Sequence, residues 1–375
     1  MGVRARAVED VAVNAPLPRE AFWRGRRVLL TGHTGFKGSW AALWLARLGA
    51  TTTGFALAPD KSPALYDVAK VERDVDSRIG DLRAPEAVRA AVAAADPEIV
   101  LHFAAQPIVR RAIADPIEAF AVNAMGTAHL LEALRGAERV QRILIVTSDK
   151  VYDNRERGEA FCEDDPLGGK DPYSASKAAT EMIARAYADT YFAPRGVALA
   201  TARGGNVIGG GDYAEDRIVP DIVRAWSRGE RPVLRMPEAT RPWQHALDCL
   251  AGYFLYVEAV DRAIPRALNF GPDPASPVAV AELTRTMLEA LGAPPQFDTE
   301  PITGTIEMRS LSVDARRAQS ELGWRNRLPS AAAVRWTADW HQRVRLGESP
   351  RDVTLAQIEA YCALDAPPAR PRSPQ

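Results

Sequence analysis

Cysteine and histidine are scarce in this chain, with three of the first and five of the second among 375 residues. Cys162, Cys249 and Cys362 show no metal-ligand spacing and no even framework of pairs, which fits a reducing cytoplasm rather than a disulfide-held fold. The histidines (His33, His102, His129, His245, His341) are scattered, so no metal site is expected. Charge of one sign is also missing. Lys and Arg number 47 against 48 Asp and Glu, and a net charge of −1 gives no field to draw nucleic acid or an anionic membrane. No apolar run approaches the roughly 20 residues that span a bilayer. The N-terminus carries arginines and acids but no apolar h-region, so it does not read as a secretion signal. The expectation is a soluble, cytoplasmic protein.

What is present is apolar residue, at 47% enough for a sizeable core, and a length that favours one large α/β unit with a smaller companion. Residues 1–19 are polar, end in Pro16 and Pro18, and read as a flexible arm; residues 366–375, rich in proline and arginine, read as a disordered tail. Between them β-type runs alternate with alanine-rich helical stretches. Strands are expected at RVLLT (27–31), TTTGFAL, SRIGD (77–81), EIVLHFAA (98–105), RILIVTS (142–148) and GVALATAR, with helices near 39–49, 85–95, 118–135 and 174–192. This rhythm predicts a Rossmann-type, doubly wound parallel sheet, with ligands beyond the carboxyl ends of its strands. After Arg203 the rhythm breaks, and a helix and the strand-like ALNFG near 246–271 read as a return to the first domain. The predicted division is 20–205 plus about 246–271 for a dinucleotide-binding domain, and 206–245 plus about 272–365 for a smaller, mainly helical or mixed substrate domain.

The first strand runs into TGHTGFKGSW, which spaces Gly32, Gly35 and Gly38 by three and three. Glycines there allow a tight turn and let backbone N–H groups approach a pyrophosphate at a helix N-terminus. Thr34, Phe36 and Lys37 complete this candidate cofactor loop. No obvious acid follows Leu57 to hold a ribose 2′-hydroxyl, Asp60 being the nearest and reading as a loop residue, and no arginine meets a 2′-phosphate; the reading leans to NAD. Asp81 and Leu82 could touch the adenine, or Asp81 could cap the helix ahead of Pro85. Ala104, Ala105 and Gln106, after the fourth strand, offer a lining for the cofactor.

Tyr173 and Lys177 lie four apart in YSASK, hence on one helix face. An ammonium beside a phenol lowers its pKa and can hold a nicotinamide ribose. Thr147, Ser148, Asp149 and Lys150 stand at the end of the fifth strand, where a hydroxyl can orient a substrate hydroxyl toward Tyr173; a strand-end cap with a solvated ion pair is the plainer alternative.

TGHTGFKGSW, TSDKVYDN, GGKDPYSASK, ATARGGNVIGGGD and RPWQH together resemble the CDP-glucose 4,6-dehydratases of the extended short-chain dehydrogenases, over about Gly25 to Trp324. The resemblance implies C4 oxidation of the sugar, loss of water across C5–C6 and return of hydride to C6, in the service of deoxysugar and lipopolysaccharide O-antigen synthesis. It makes Tyr173 the base, tuned by Lys177 and assisted by Thr147. Asp149 becomes the acid for the departing 6-hydroxyl and Lys150 the proton carrier at C5. Asn123 resembles an asparagine that bends a helix. Asn206, Arg217 and Arg241 would meet the diphosphate, Glu307 would contact substrate, and Trp243 reads as packing. The chain departs from the usual family pattern at Ala112-Ile113, Lys170 and Ile306. A homodimer or homotetramer is implied, paired through the helices of residues 115–135 and 173–193. Another nucleotide-sugar dehydratase, a 4-epimerase, which has no need of Asp149 and Lys150, and a non-catalytic nucleotide-binding protein are the competing readings.

Overall fold

Apolar residues alternate along short strands, and each strand therefore feeds two cores. In the computed structural model, which describes residues 15–60, 62–155, 158–261, 263–273, 278–300 and 311–364, seven strands form one sheet. They are β1 (Arg27–Thr31), β2 (Thr51–Ala56), β3 (Asp76–Ile79), β4 (Ile99–His102), β5 (Arg142–Val146), β6 (Ala198–Gly204) and β7 (Ala267–Phe270). Their order is β7-β6-β5-β4-β1-β2-β3, and every pairing is parallel. Val28 and Leu30 pack with Trp40 and Trp44 on one face, while Leu29 packs with Val88, Val92 and Leu130 on the other. A parallel sheet requires this double cover. The doubly wound α/β fold is therefore present as read.

The helices that matter for the site are α1 (Phe36–Arg47), α2 (Pro172–Tyr187), α3 (Ile218–Arg228), α4 (Ala246–Ala259) and α5 (Pro350–Ala363). The expected helix at 39–49 begins earlier, at Phe36, because extended Gly35 acts as its N-cap. The stretches read as helices at 118–135 and 174–192 each contain a π-turn, at Ala121–Met125 and Ala188–Phe192. In the first of these the buried Asn123 takes the Gln106 N–H on Oδ1 at 2.8 Å and donates to Ser176 Oγ at 2.9 Å.

Every residue of α4 is buried, as a helix apolar all round must be. It carries two ties to distant chain. Glu258 accepts from Arg19 and from Trp23 Nε1, so residues near Arg19, at the end of the stretch read as a flexible arm, are held against the core. Asp248 accepts from the backbone of Arg327 at 2.6 Å and from the Tyr361 hydroxyl of α5 at 2.8 Å. Burial pushes its carboxyl up to about 7, against these hydrogen bonds.

Beyond β6, α3 and the helices Val280–Ala290 and Ser330–Arg345 stand with three pairs of two-residue strands. Of these, Val233–Leu234 pairs with Asp298–Thr299, and Thr240–Arg241 with Val278–Ala279. Among the described residues no helix is long and apolar enough to cross a membrane.

Candidate active site

A cavity of about 560 Å³ lies at the carboxyl ends of the central strands and extends under α3. One end is the glycine loop. Gly32 has φ +78°, and a Cβ there would stand 2.7 Å from the Ala104 nitrogen; a Cβ on Gly38 would stand 2.0 Å from the Gly32 carbonyl oxygen. Those two positions therefore admit no side chain. Gly35 accompanies them, α1 carries no acid in its first turn, and no side chain caps its N-terminus. Its leading N–H groups remain for an anion, as a dinucleotide pyrophosphate requires.

Around the loop, Thr34 donates its hydroxyl to the Leu57 carbonyl at 2.8 Å. Phe36 and Lys37 line the cavity, and the Lys37 ammonium stands 5.4 Å from the Tyr253 ring centre. Asp81 and Leu82 also line it. The capping alternative for Asp81 is not realised: Ala84 is the N-cap of the helix Pro85–Ala95, and Asp81 turns back onto Arg83, whose hydrogen bond holds the carboxyl below its usual range. Ala104 and Ala105 face the cavity, but Gln106 does not. Its side chain is buried and closes a local turn with the Ile108 N–H and carbonyl, so the expected cofactor contact is corrected to a loop-shaping role. Phe103 lines the cavity in its stead.

Tyr173 and Lys177 share the buried face of α2, whose start is fixed by Asp171: both its carboxylate oxygens accept from Ser174. The expected tuning of the phenol by Lys177 is not what this structure holds. Burial drives Tyr173 up to about 12; a Ser148 hydrogen bond and Arg217 oppose this, and Asp149 and Asp171 add to it. Lys177 donates to the Val146 carbonyl at 3.0 Å, and burial followed by repulsion from Lys37 brings it down to about 7, against the pull of Glu181. A lysine so depressed is only part-charged near neutrality, and it is not among the groups that move the phenol.

Thr147 is a second correction. Its hydroxyl bonds Glu181 Oε1, away from the phenol. Ser148 is the hydroxyl beside Tyr173, and it also donates to Asp149 Oδ1 at 3.0 Å. The alternation of β5 carries the reason: Ile143 and Ile145 belong to one core, Leu144 and Val146 to the other, and Thr147 continues the first series. That period was available in the sequence. Asp149 is 2% exposed, and its Oδ2 has no hydrogen-bond partner among the described residues. Lys150 lines the cavity next to it, with a half-buried side chain.

Toward α3 the cavity is lined by Asn206, Arg217 and Arg241. Arg217 pairs with Asp212 at 3.0 Å, and Arg241 donates to the Thr240 carbonyl at 2.9 Å. Trp243 is buried, donating to the Val278 carbonyl. Glu307 lies outside the described residues. Asp221 and Arg235 also line this end; no motif in the sequence marks either. Among the described residues no three His, Cys, Asp or Glu side chains converge as metal ligands.

With this geometry in view, the model of the NAD dependent epimerase/dehydratase family matches residues 28–271. The CDP-glucose 4,6-dehydratase of Salmonella typhimurium is 38% identical over 350 residues, covering 91% of this chain and 97% of that one. The dTDP-glucose 4,6-dehydratase of Mycolicibacterium smegmatis is 30% identical over 333 residues, or 84% and 93%. Among solved structures, the UDP-glucose 4-epimerase of Thermus thermophilus in complex with NAD superposes with a TM-score of 0.74 at 26% identity, covering 84% of this chain and 99% of that one.

Proposed function

The chain belongs to the NAD-dependent epimerase/dehydratase family, and from that premise we propose that it removes water from CDP-glucose, giving CDP-4-keto-6-deoxyglucose. The observation that carries this reading is Asp149: a buried carboxyl group, acting as the acid, with one oxygen unpartnered in the same cavity as Tyr173. A buried polar group without a partner costs stability, and a 6-hydroxyl that must leave as water is a fitting partner. A 4-epimerase has no elimination step for that acid to serve.

NAD, when bound at the glycine loop, supplies reversible hydride acceptance. The rest falls to side chains. Tyr173 takes the proton of the sugar 4-hydroxyl, with the Ser148 hydroxyl near the phenol. Lys177, four residues on, serves the nicotinamide ribose and the phenol once ligands fill the cavity. A 4-ketone acidifies the C5 proton, which Lys150 carries; Asp149 protonates the departing 6-hydroxyl. General acid–base steps of this kind contribute about 10²–10⁴-fold each. Arg217 and Arg241 pair with the diphosphate through directional guanidinium hydrogen bonds, Asn206 adds an amide, and Glu307 is assigned to substrate.

We further propose a homodimer, or a dimer of dimers, through the segments 115–135 and 173–193, where Ile117 and Met182 stand 76% and 58% exposed and Phe120, Met125 and Tyr191 are exposed as well. The three cysteines are free, in keeping with the cytoplasm. Mass spectrometry of purified protein with CDP-, dTDP-, GDP- and UDP-glucose tests the reaction. Loss of one water from CDP-glucose, with no net reduced cofactor, is the expected result. An epimerised sugar of unchanged mass, or water loss only from another nucleotide, would overturn the assignment.

A further inference from the structure

Asp221 is a half-buried carboxylate that lines the same cavity as the glycine loop and Arg217. It stands in the first turn of α3, where its N–H bonds the Arg217 carbonyl at 3.0 Å. Arg217 and Asp221 are therefore one helical turn apart, and side chains so spaced have Cβ atoms about 5–6 Å from each other. If Arg217 holds the diphosphate, the next group along α3 faces what lies on the other side of a ribose: the base.

The carboxylate is anchored rather than free to swing. Oδ1 takes a hydrogen bond from Arg224, and Arg224 is fixed in turn to the carbonyls of Tyr213 and Ala214 at 3.1 and 3.3 Å. Oδ2 accepts nothing from the described residues. The surrounding cavity wall is apolar at Pro220, Val233 and Met236, and Arg235 contributes the nearby positive charge. Asp216, the other acid that faces this carboxylate, is engaged by Arg110 and Arg235. An ionised carboxylate only accepts hydrogen bonds. Cytosine presents a 4-amino donor, whereas uracil and thymine present a 4-oxo acceptor at the same place, and Asp or Glu is the side-chain complement of the cytosine amino group.

We propose that Asp221 is the specificity-determining residue for the nucleotide, accepting the 4-amino hydrogen of a cytosine and repelling the 4-oxo group of uracil and thymine. The inference rests on the nucleotide-sugar reading above and adds the atom that selects the base. Discrimination works here by an unfavourable contact as much as by a favourable one, and a single base-edge contact of this kind separates affinities by roughly 10- to 100-fold.

The test is calorimetric binding of CDP, UDP, dTDP and N4,N4-dimethyl-CDP to the NAD-loaded full chain, wild type and Asp221→Asn. Wild type is expected to bind CDP about 10- to 100-fold tighter than UDP or dTDP, with dimethyl-CDP, which has no N–H to give, weakened toward UDP. In Asp221→Asn, whose amide can donate as well as accept, the CDP/UDP ratio is expected to fall toward one while NAD affinity stays unchanged. Equal wild-type binding of CDP and dimethyl-CDP overturns the proposal, and this arm does not depend on the variant folding. So does a CDP/UDP ratio that survives in Asp221→Asn. Failure of the dehydration reading looks different: CDP would bind selectively while CDP-glucose passes through the mass assay intact.

Discussion

The end of β5 divides two buried polar centres that share a strand and a helix yet are built on opposite principles. On one side, both oxygens of Glu181 are taken, by the hydroxyls of Thr147 and Thr201 and by Arg203 Nη2 at 2.9 Å. Arg203 also donates to the Tyr152 hydroxyl and the Glu163 carbonyl. On the other side, Asp149 has an idle oxygen, Tyr173 is forced upward by burial, and Lys177 is held to a single carbonyl and only part-charged near neutrality. The first centre has both carboxylate oxygens and both terminal guanidinium nitrogens bonded, leaving Arg203 Nε alone without a partner among the described residues, and so fixes the geometry. The second carries unmet demands at the places where a ligand can meet them. Adjacent residues, Thr147 and Ser148, fall on the two sides, which is why their roles are so easily exchanged when only the sequence is in hand.

Four measurements break or sharpen this contrast. The largest effect is expected from Tyr173→Phe, which removes the acid–base hydroxyl: turnover of CDP-glucose should drop by about 10²–10⁴-fold, with NAD affinity and thermal midpoint held, by mass assay and calorimetry. On the saturated side the damage should be to folding. Glu181→Met or Arg203→Met alone leaves a buried charge unpaired and should cost about 3–5 kcal/mol in denaturant unfolding, while Glu181→Met/Arg203→Met together should regain much of it. If the double variant is no better than the singles, the pair is not the unit described here.

A third, smaller effect tests a buried acid outside both centres. Asp248 sits at about 7 when folded against an ordinary 3.8. Between those values the folded chain keeps a proton that the unfolded chain has lost, so stability should fall as pH rises from about 4 to about 7 and level off above. Unfolding of Asp248→Asn across that range should lack this slope. The smallest expected effects fall on the neighbouring hydroxyls. Thr147→Val should cost about 1 kcal/mol of stability with kcat nearly kept, whereas Ser148→Ala should lower kcat about tenfold or more at unchanged stability. The reverse pattern would return the catalytic hydroxyl to Thr147.

The sheet was legible because its cause is local: β-type runs at regular intervals, alternating with alanine-rich helical stretches, leave few other architectures. The glycine loop was legible in part for the same reason, since Gly38 answers a steric demand from Gly32 within the loop, whereas Gly32 makes room for the Ala104 backbone brought in by the fold. Gln106 was not, because its position in the sequence could not tell an outward side chain from one that closes a turn on Ile108. The π-turns were invisible because adding one residue to a helical turn leaves the composition unchanged. The phenol's rise to about 12 and the lysine's fall were also out of reach. Both depend on burial, and the lysine's also on Lys37, a charge brought near by the fold from far along the chain.

The position of β7 has a consequence for how the protein is made. β7 closes one edge of the sheet by pairing with β6 along Ala267–Phe270. During synthesis, β6 emerges well before its partner, and the ribosome adds only about 5–20 residues each second. For that interval the nascent chain offers an open, apolar strand edge of the kind that recruits wrong partners. The helix made in between, α4, is buried on every side in the finished fold and is exposed for the same interval. Truncation just before Ala267 should therefore yield an aggregating fragment rather than a smaller folded domain, and nascent chains of that length should be those on which holding chaperones linger.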